Sequence, residues 1–262
     1  MNDDFSDNEM KEREIYSDLR VFPPFAVRID GRGFRRALSE FKKPYDERFA
    51  RAMANCVESF FRDSGLNPLL AFTFSDEITL FFLEIPYNNR IEKIDSIIPS
   101  FFSSELTILL ALEKPVSFDS RVIPLGKEDI YRYLLWRQAE TWRNHVSSYG
   151  YYTLRKTGLS ENEAAVQLKN MNASAIHELV FKHGINLAET PAWQRCGVLI
   201  FRETYDKKGY DPIKKTGVIT QRRKIIQEWN TPIFKSDEGK ALISRLISEG
   251  TGLFYSTSIL VQ

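Results

Sequence analysis

The sequence predicts an α+β fold in which helices pack on a mostly antiparallel sheet, and three observations predict it. Apolar segments of strand length and helical length follow one another in the order strand, helices, hairpin, helix, strand, without a repeating unit. Two of the strands, "LLAFTFSD" and "EITLFFLEI", have too few residues between them for anything but a tight hairpin. A hydrophobic fraction of 43% over 262 residues suffices for a substantial core, in one large domain or two modest ones.

Each element has its own signal. "PPFAVRID" (Pro23 to Asp30) reads as a strand introduced by prolines, and "GRGF" turns it into a helix carrying Phe34 and Leu38. Asp46 opens a second helix with Phe49, Met53, Cys56 or Val57, and Phe60 at helical spacing, stopped by Gly65. The hairpin follows, with Ser75, Asp76 and Glu77 at its tip. "NRIEKIDSIIPSFFSSELTILLAL" is helical, and Pro99 marks a kink or the start of a second helix. "VSFDSRVIPL" is another strand. From Lys127 a long amphipathic helix sets Tyr131, Leu134 or Leu135, Gln138 and Trp142 on one face and Arg132, Trp136, Glu140 and Arg143 on another. Shorter helices near Glu161 to Lys169 and Ser174 to His183 precede "RCGVLIFRETY", a strand that pairs with "GVITQRRKIIQEW" across a basic loop. The chain thus divides into residues 1–135 and a C-terminal region, 136–262, packed as one compact unit.

Lys plus Arg number 36 against 35 Asp plus Glu, so the net charge of +1 gives no global attraction to a polyanion, and any such site must be local. The longest apolar runs fall far short of the roughly 20 residues of a membrane-spanning helix, and the acidic start is no secretory signal. The expectation is a cytoplasmic chain without membrane contact. Cys56 and Cys196 lack metal or disulfide spacing and read as core residues. His145, His177 and His183 lack a serine or cysteine partner at motif spacing and read as ordinary polar groups.

The chemistry gathers at the carboxylates. An ionised carboxylate in an apolar run must be neutralised, paired or given a metal, which poses the question for Asp76 and Glu77 in "FTFSDEITLFF". Strand neighbours point to opposite faces, so one of the two shares a face with a third carboxylate unless the turn rotates the other. Asp30 is that third group, and Asp30 with Asp76 at the ~4 Å scale would bridge two divalent cations. Oxygen donors suit Mg²⁺. "DGRGF" exposes backbone N–H groups at a helix N-terminus, where a triphosphate is favoured, although such a turn also serves as a plain turn. Arg28 shares a strand face with Asp30, to meet a phosphate or to pair with the carboxylate.

"FAVRIDGRGF", "KKPYD", "FSDE", "RIEK", "FDSRV" and "YLLWRQAE" occur in the same order as in the tRNA(His) guanylyltransferase family and its archaeal and bacterial relatives, which this chain resembles from about Phe25 to Trp142 and more weakly to Phe201. The resemblance implies a catalytic core like the palm of DNA polymerases and nucleotide cyclases, working with two Mg²⁺ ions. It implies that Asp30 and Asp76, with the main-chain carbonyl of Gly31, hold the metals, and that Glu77 is a required neighbour of unassigned role. Lys43 and Ser75 match triphosphate-binding positions, beside Arg28, Arg32, Gly33 and Phe34 in the glycine turn. Arg90, Lys93 and Arg121 match basic positions associated with a second triphosphate or the RNA 5′ end. The implied reaction adds nucleotides to the 5′ end of tRNA: ATP adenylylates a 5′-monophosphate, and the 3′-hydroxyl of GTP then displaces AMP.

Where eukaryotic members carry His-Ile-Asn-Asn, this chain has Trp142, Arg143, Asn144 and His145, and only Asn144 fits. That departure points to the archaeal and bacterial branch, with templated addition and tRNA 5′-end repair. Arg137 and Asn144 are candidate tRNA contacts, as is a basic arm with Lys207, Lys208, Lys214, Lys215, Arg222 and Arg223, which otherwise reads as a solvated hairpin. Family members assemble as tetramers, dimers of dimers; the aromatics of the long helix serve that interface or the core. Competing readings are a palm-type nucleotide cyclase, whose GG(D/E)EF hairpin is missing here, and a non-catalytic tRNA-binding protein, against which the retained acidic residues weigh.

Overall fold

The structure, a computed structural model, describes residues 7–211 and 215–257. After a short α1 (Asp7–Glu12), β1 (Phe25–Arg32) leads through the glycine turn into α2 (Phe34–Ala37) and then α3 (Glu47–Asp63). The hairpin comprises β2 (Leu70–Phe74) and β3 (Glu77–Phe82), and α4 (Ile91–Leu109) and β4 (Ser117–Pro124) follow. The long helix is α5 (Asp129–Lys156), followed by α6 (Glu161–Lys169), α7 (Ala173–Lys182) and α8 (Ala192–Cys196). A second hairpin, β5 (Val198–Asp211) and β6 (Thr216–Glu228), precedes α9 (Asp237–Thr257).

Six strands form one antiparallel sheet in the order β4-β1-β3-β2-β5-β6. Strand alternation divides its side chains between two cores. On one face Val27, Ile29, Ile78, Leu80 and Phe118 pack with Met53, Phe60, Ile98 and Phe102 of α3 and α4. On the other, Ala26, Phe72, Phe81 and Leu199 pack with Ile130 and Leu134 of α5 and Ile243 and Leu246 of α9. Gln138 pins α5 to the chain entering α9, donating to the Pro232 carbonyl at 2.9 Å and accepting from the Phe234 N–H at 2.7 Å.

Several expectations change. The helix after the glycine turn is a single turn, α2, too short to develop the end charge of a longer helix. Pro99 starts no second helix. It sits inside continuous α4, and the Asp95 carbonyl that its missing N–H leaves free is met at 3.0 Å by the Ser120 hydroxyl of β4. The division at residue 135 falls inside α5, and β5 pairs with β2, so one sheet spans both regions. No strand signal was expected beyond Tyr205, yet β5 runs on to Asp211. Beyond Phe201 it has only β6 as a partner, so the hairpin leaves the sheet as an exposed two-stranded ribbon. Among the described residues no helix is long and apolar enough to cross a membrane.

Candidate active site

The site is built by strand register. Asp30 of β1 stands opposite Glu77 of β3 on one side and Asp119 of β4 on the other. Directly opposed residues share a face, so Asp119, Asp30 and Glu77 form a row of carboxylates across three strands, on the face covered by α5. One step along, Arg121, Arg28 and Thr79 form a parallel row.

Asp76 joins from the hairpin turn. Ser75 and Asp76 are its two central residues, and Ser75 takes the positive φ of 50° that so tight a connection requires. The Gly31 N–H donates to the Asp76 carbonyl at 3.1 Å, which ties the turn to the end of β1 and sets Asp76 beside Asp30. Burial pushes the Asp76 carboxyl up, and the negative charge of Asp30 adds to it against the hydrogen bond from the Ser75 hydroxyl (3.0 Å). Gly31 is required by close approach, because a Cβ there would lie 2.4 Å from the Phe34 ring.

Glu77 has a different environment. It is buried, and Arg137 of α5 grips it in a two-pronged ion pair, Nε to Oε1 at 2.8 Å and Nη2 to Oε2 at 2.7 Å. Burial pushes its carboxyl up to about 7, opposed by Arg137 and Arg28. Arg137 is therefore no surface contact for tRNA, as its sequence position suggested. It is 4% exposed, and its Nε and Nη2 are both committed to Glu77. The Phe34 side chain is buried against Phe118, with centroids 4.9 Å apart, so its part in the glycine turn is confined to its backbone, as the sequence suggested.

A cavity opens beside the Ser75–Asp76 turn, lined by Lys43, Tyr45, Phe74, Ser75, Trp193 and Gln194 among others. It brings together Lys43 and Ser75, the two residues expected at a triphosphate, between an apolar wall and polar groups, as small-molecule sites are built. Arg32 and Gly33 are exposed at the mouth of the glycine turn. Arg121 lies on the carboxylate face. Arg90 and Lys93 do not: they sit at the start of α4, which packs on the opposite face, and Arg90 pairs with Glu92 at 3.3 Å. Asp119 was missed, although alternation through "FDSRV" places it on the same face as Arg121.

For a cation the site offers the carboxylates of Asp30 and Asp76 and the carbonyl of Gly31, hard oxygen donors of the kind Mg²⁺ takes alongside substrate phosphates. Among the described residues no three His, Cys, Asp or Glu side chains converge to hold a metal, so such a cation would rely on two carboxylates.

A family model described as tRNAHis guanylyltransferase matches residues 7–126, and one described as Thg1 C terminal domain matches residues 128–237. The tRNA(His) guanylyltransferase of Candida glabrata is 31% identical over 207 residues, which cover 73% of this chain and 87% of that protein. The chain belongs to the tRNA(His) guanylyltransferase family.

Members of this family are nucleotidyltransferases. tRNA(His) guanylyltransferase 1 of Arabidopsis thaliana is 29% identical over 79% of this chain, which spans only 39% of that longer relative. In fold the chain resembles a bacterial tRNA(His) guanylyltransferase-like protein solved in complex with GTP and with ATP. The TM-scores are 0.70 and 0.72, with 21% identity over 92% of this chain and 97% of that one. In the Trp142–His145 segment, Asn144 is exposed on α5, while His145 is buried among Tyr45, Trp142 and Tyr149. Its Nε2 lies 3.1 Å from the Thr190 hydroxyl, and burial pushes its pKa down to about 4. In the ribbon, Lys207 and Arg222 occupy one face and Lys208 and Arg223 the other, all exposed, with Lys215 exposed at the tip. Lys214 lies outside the described residues.

Proposed function

We propose that this chain is a template-dependent 3′-5′ nucleotidyltransferase with a palm-like core, adding G or other nucleotides to the 5′ end of tRNA, in tRNA(His) maturation or 5′-end repair. The observation that carries the reading is the hydrogen bond from the Gly31 N–H to the Asp76 carbonyl, which ties the hairpin turn carrying Asp76 to the end of β1 beside Asp30, while Ser75 of the same turn lines a cavity with Lys43. In this reading Asp30, Asp76 and the Gly31 carbonyl hold Mg²⁺, two ions, which supplies activation of the attacking hydroxyl and neutralisation of phosphate charge. Lys43 and Ser75 hold the incoming triphosphate, and the exposed backbone of Arg32 and Gly33 approaches it. Glu77, locked to Arg137, fixes the β3 end of the turn, so it acts as a positioning residue. Arg121 and Arg28 face the RNA 5′ end or a second triphosphate, a role in which Arg90 and Lys93, on the opposite side of the sheet, take no part. The ribbon and Asn144 contact tRNA, in a homotetramer.

A 5′-monophosphate is adenylylated by ATP with release of pyrophosphate, and the 3′-hydroxyl of GTP then displaces AMP. The GTP and ATP complexes of the bacterial relative support both nucleotides as ligands. The test incubates the protein with ATP, GTP, Mg²⁺ and a 5′-monophosphorylated tRNA lacking its first nucleotide. The expected result is AMP transfer and one-nucleotide extension by the wild type and neither by Asp76→Ala. Absence of both from the wild type overturns the reading, and comparing intact tRNA(His) with truncated tRNAs separates maturation from repair.

A further inference from the structure

The cavity beside the hairpin turn has a wall that the reaction as derived leaves without a task. Gly197 alone separates α8 from β5, whose first residue, Val198, stands opposite Thr73 of β2, so α8 lies at the end of the sheet where Ser75 and Asp76 turn. It holds Trp193 and Gln194 against the cavity that also takes in Lys43 and Ser75. Its seat is fixed from α5, where the Gln138 amide donates to the Cys196 carbonyl at 3.3 Å and the Tyr149 hydroxyl donates to Gln194 Oε1 at 2.7 Å. Trp193 meets the Tyr45 ring edge-on, with centroids 6.0 Å apart, and the Trp229 ring at 6.1 Å. Tyr45 and Trp193 give this end of the cavity flat, largely apolar sides that are set before anything binds.

Gln194 is the polar group of that wall whose bonding is unfinished. It is 9% exposed, its side-chain oxygen is taken by Tyr149, and its Nε2 has no hydrogen-bond partner among the described residues. A primary amide that has placed its oxygen still has two N–H donors to satisfy, and here it cannot turn over without giving up the bond to Tyr149. Neighbouring polar side chains of the cavity are committed within the fold. The Thr73 hydroxyl donates to the Glu77 carbonyl at 2.8 Å and the Thr141 hydroxyl to the Arg137 carbonyl at 3.0 Å. Asp46 accepts from the N–H groups of Lys42 at 2.9 Å and Arg48 at 2.8 Å. Aromatic sides with one oriented donor suit a flat heterocycle that carries an acceptor on its edge. A ligand without that acceptor leaves the buried donor unpaired and is disfavoured for that reason.

We propose that Gln194, oriented by Tyr149, determines which base the cavity takes: its Nε2 donates to a carbonyl on the base edge, so guanine is held in preference to adenine. Where guanine has O6, adenine has an amino group, and two donors then face each other. The inference rests on the reading in which Lys43 and Ser75 hold the triphosphate, because that sets the end from which the base enters. It concerns binding and not transfer, so the two fail separately. A preference that depends on Gln194 in a protein that transfers nothing would overturn that reading alone, and transfer by a protein without such a preference would overturn this inference alone.

The experiment is calorimetry without an RNA acceptor, so that affinity is read without turnover, using two matched pairs of probes. GTP and 2-aminopurine riboside triphosphate share the 2-amino group and differ at C6, and ITP and ATP both lack it and differ at C6. Wild type is expected to bind the carbonyl-bearing member of each pair about tenfold more tightly, the worth of one hydrogen bond. Gln194→Met keeps the length of the side chain and removes the donor, and thermal unfolding checks that it is folded. It should weaken GTP and ITP about tenfold and leave ATP within about twofold, so that both ratios fall towards one. Gln194→Glu, an acceptor in place of the donor, should reverse the preference within each pair. Tyr149→Phe frees the amide and should lower both ratios, whereas a structural role alone would weaken both members of a pair alike. Wild-type affinities equal within each pair overturn the proposal. So do ratios that a folded Gln194→Met leaves as they are in wild type.

Discussion

Replacing Arg137 by Met removes its charge and keeps most of its stem, leaving Glu77 in place without its partner. The side chains of Arg137 and Glu77 are 5% and 11% exposed, so water cannot take the guanidinium's place. Losing one member of such a pair costs about 3–5 kcal/mol. An unfolding entropy near 2.1 cal/mol/K per residue gives roughly 0.55 kcal/mol/K for a chain of this length, so the melting temperature should fall by about 5–9 °C. The loss should depend on pH in a defined direction. The folded pKa of Glu77 is raised above its ordinary value of 4.5, and removing Arg137 raises it further. Below pH 4.5 the carboxyl is protonated in folded and unfolded chains alike, and the deficit is smallest there. It grows as the pH rises through the folded pKa, so Arg137→Met should be closer to wild type at pH 5 than at pH 8. Thermal unfolding of wild type, Arg137→Met, Glu77→Gln and the double variant at pH 5 to 8 measures both effects. The double variant should lose about 1–3 kcal/mol less than the sum of the singles. A single-variant loss under about 1 kcal/mol, a loss flat across pH, or strict additivity would each refute the buried-pair argument.

Two further outcomes are expected. Gly31→Ala puts a methyl group against the Phe34 ring, so it should cost about 1–3 kcal/mol and displace the turn enough to lower 5′ transfer roughly a hundredfold; wild-type melting and rate would contradict the close approach. His145, whose folded pKa is depressed to about 4 by burial, contributes stability that is present above about pH 6.5 and is lost as the pH falls through 4. His145→Phe should therefore flatten the pH dependence of urea unfolding between pH 6.5 and 4.5, by up to about 3 kcal/mol, and an unchanged slope would contradict it.

Local signals carried most of the fold. The hairpin around Ser75 and Asp76, the Asp46 cap of α3 and the long α5 depend on neighbours in the chain, and periodicity reveals them. What escaped depends on distance. The partner of Glu77 lies 60 residues away, and nothing in "WRQAE" distinguishes a buried arginine from an exposed one. Strand alternation separates Asp76 from Glu77, but only the register of β1 against β3 shows that Glu77 is the one facing Asp30. Pro99 looked like a break because its compensating donor, Ser120, is on another element. Helix α9 carries a weaker apolar stripe that gains meaning only once Ile243 and Leu246 have Phe72 and Phe201 to cover.

The carboxylate row also sets a rule of parity for this chain. Asp119, Asp30 and Glu77 alternate along their strands with Phe118, Ile29 and Ile78, which fill the core on the other side of the sheet. A single residue inserted into or deleted from any of these strands would exchange charge for hydrocarbon, sending an acid into the α3–α4 core and a large apolar group toward α5. Length variation compatible with function is thus confined to the connections between strands, or comes in steps of two, and a screen of one-residue indels should trace the three strands as an uninterrupted run of dead variants.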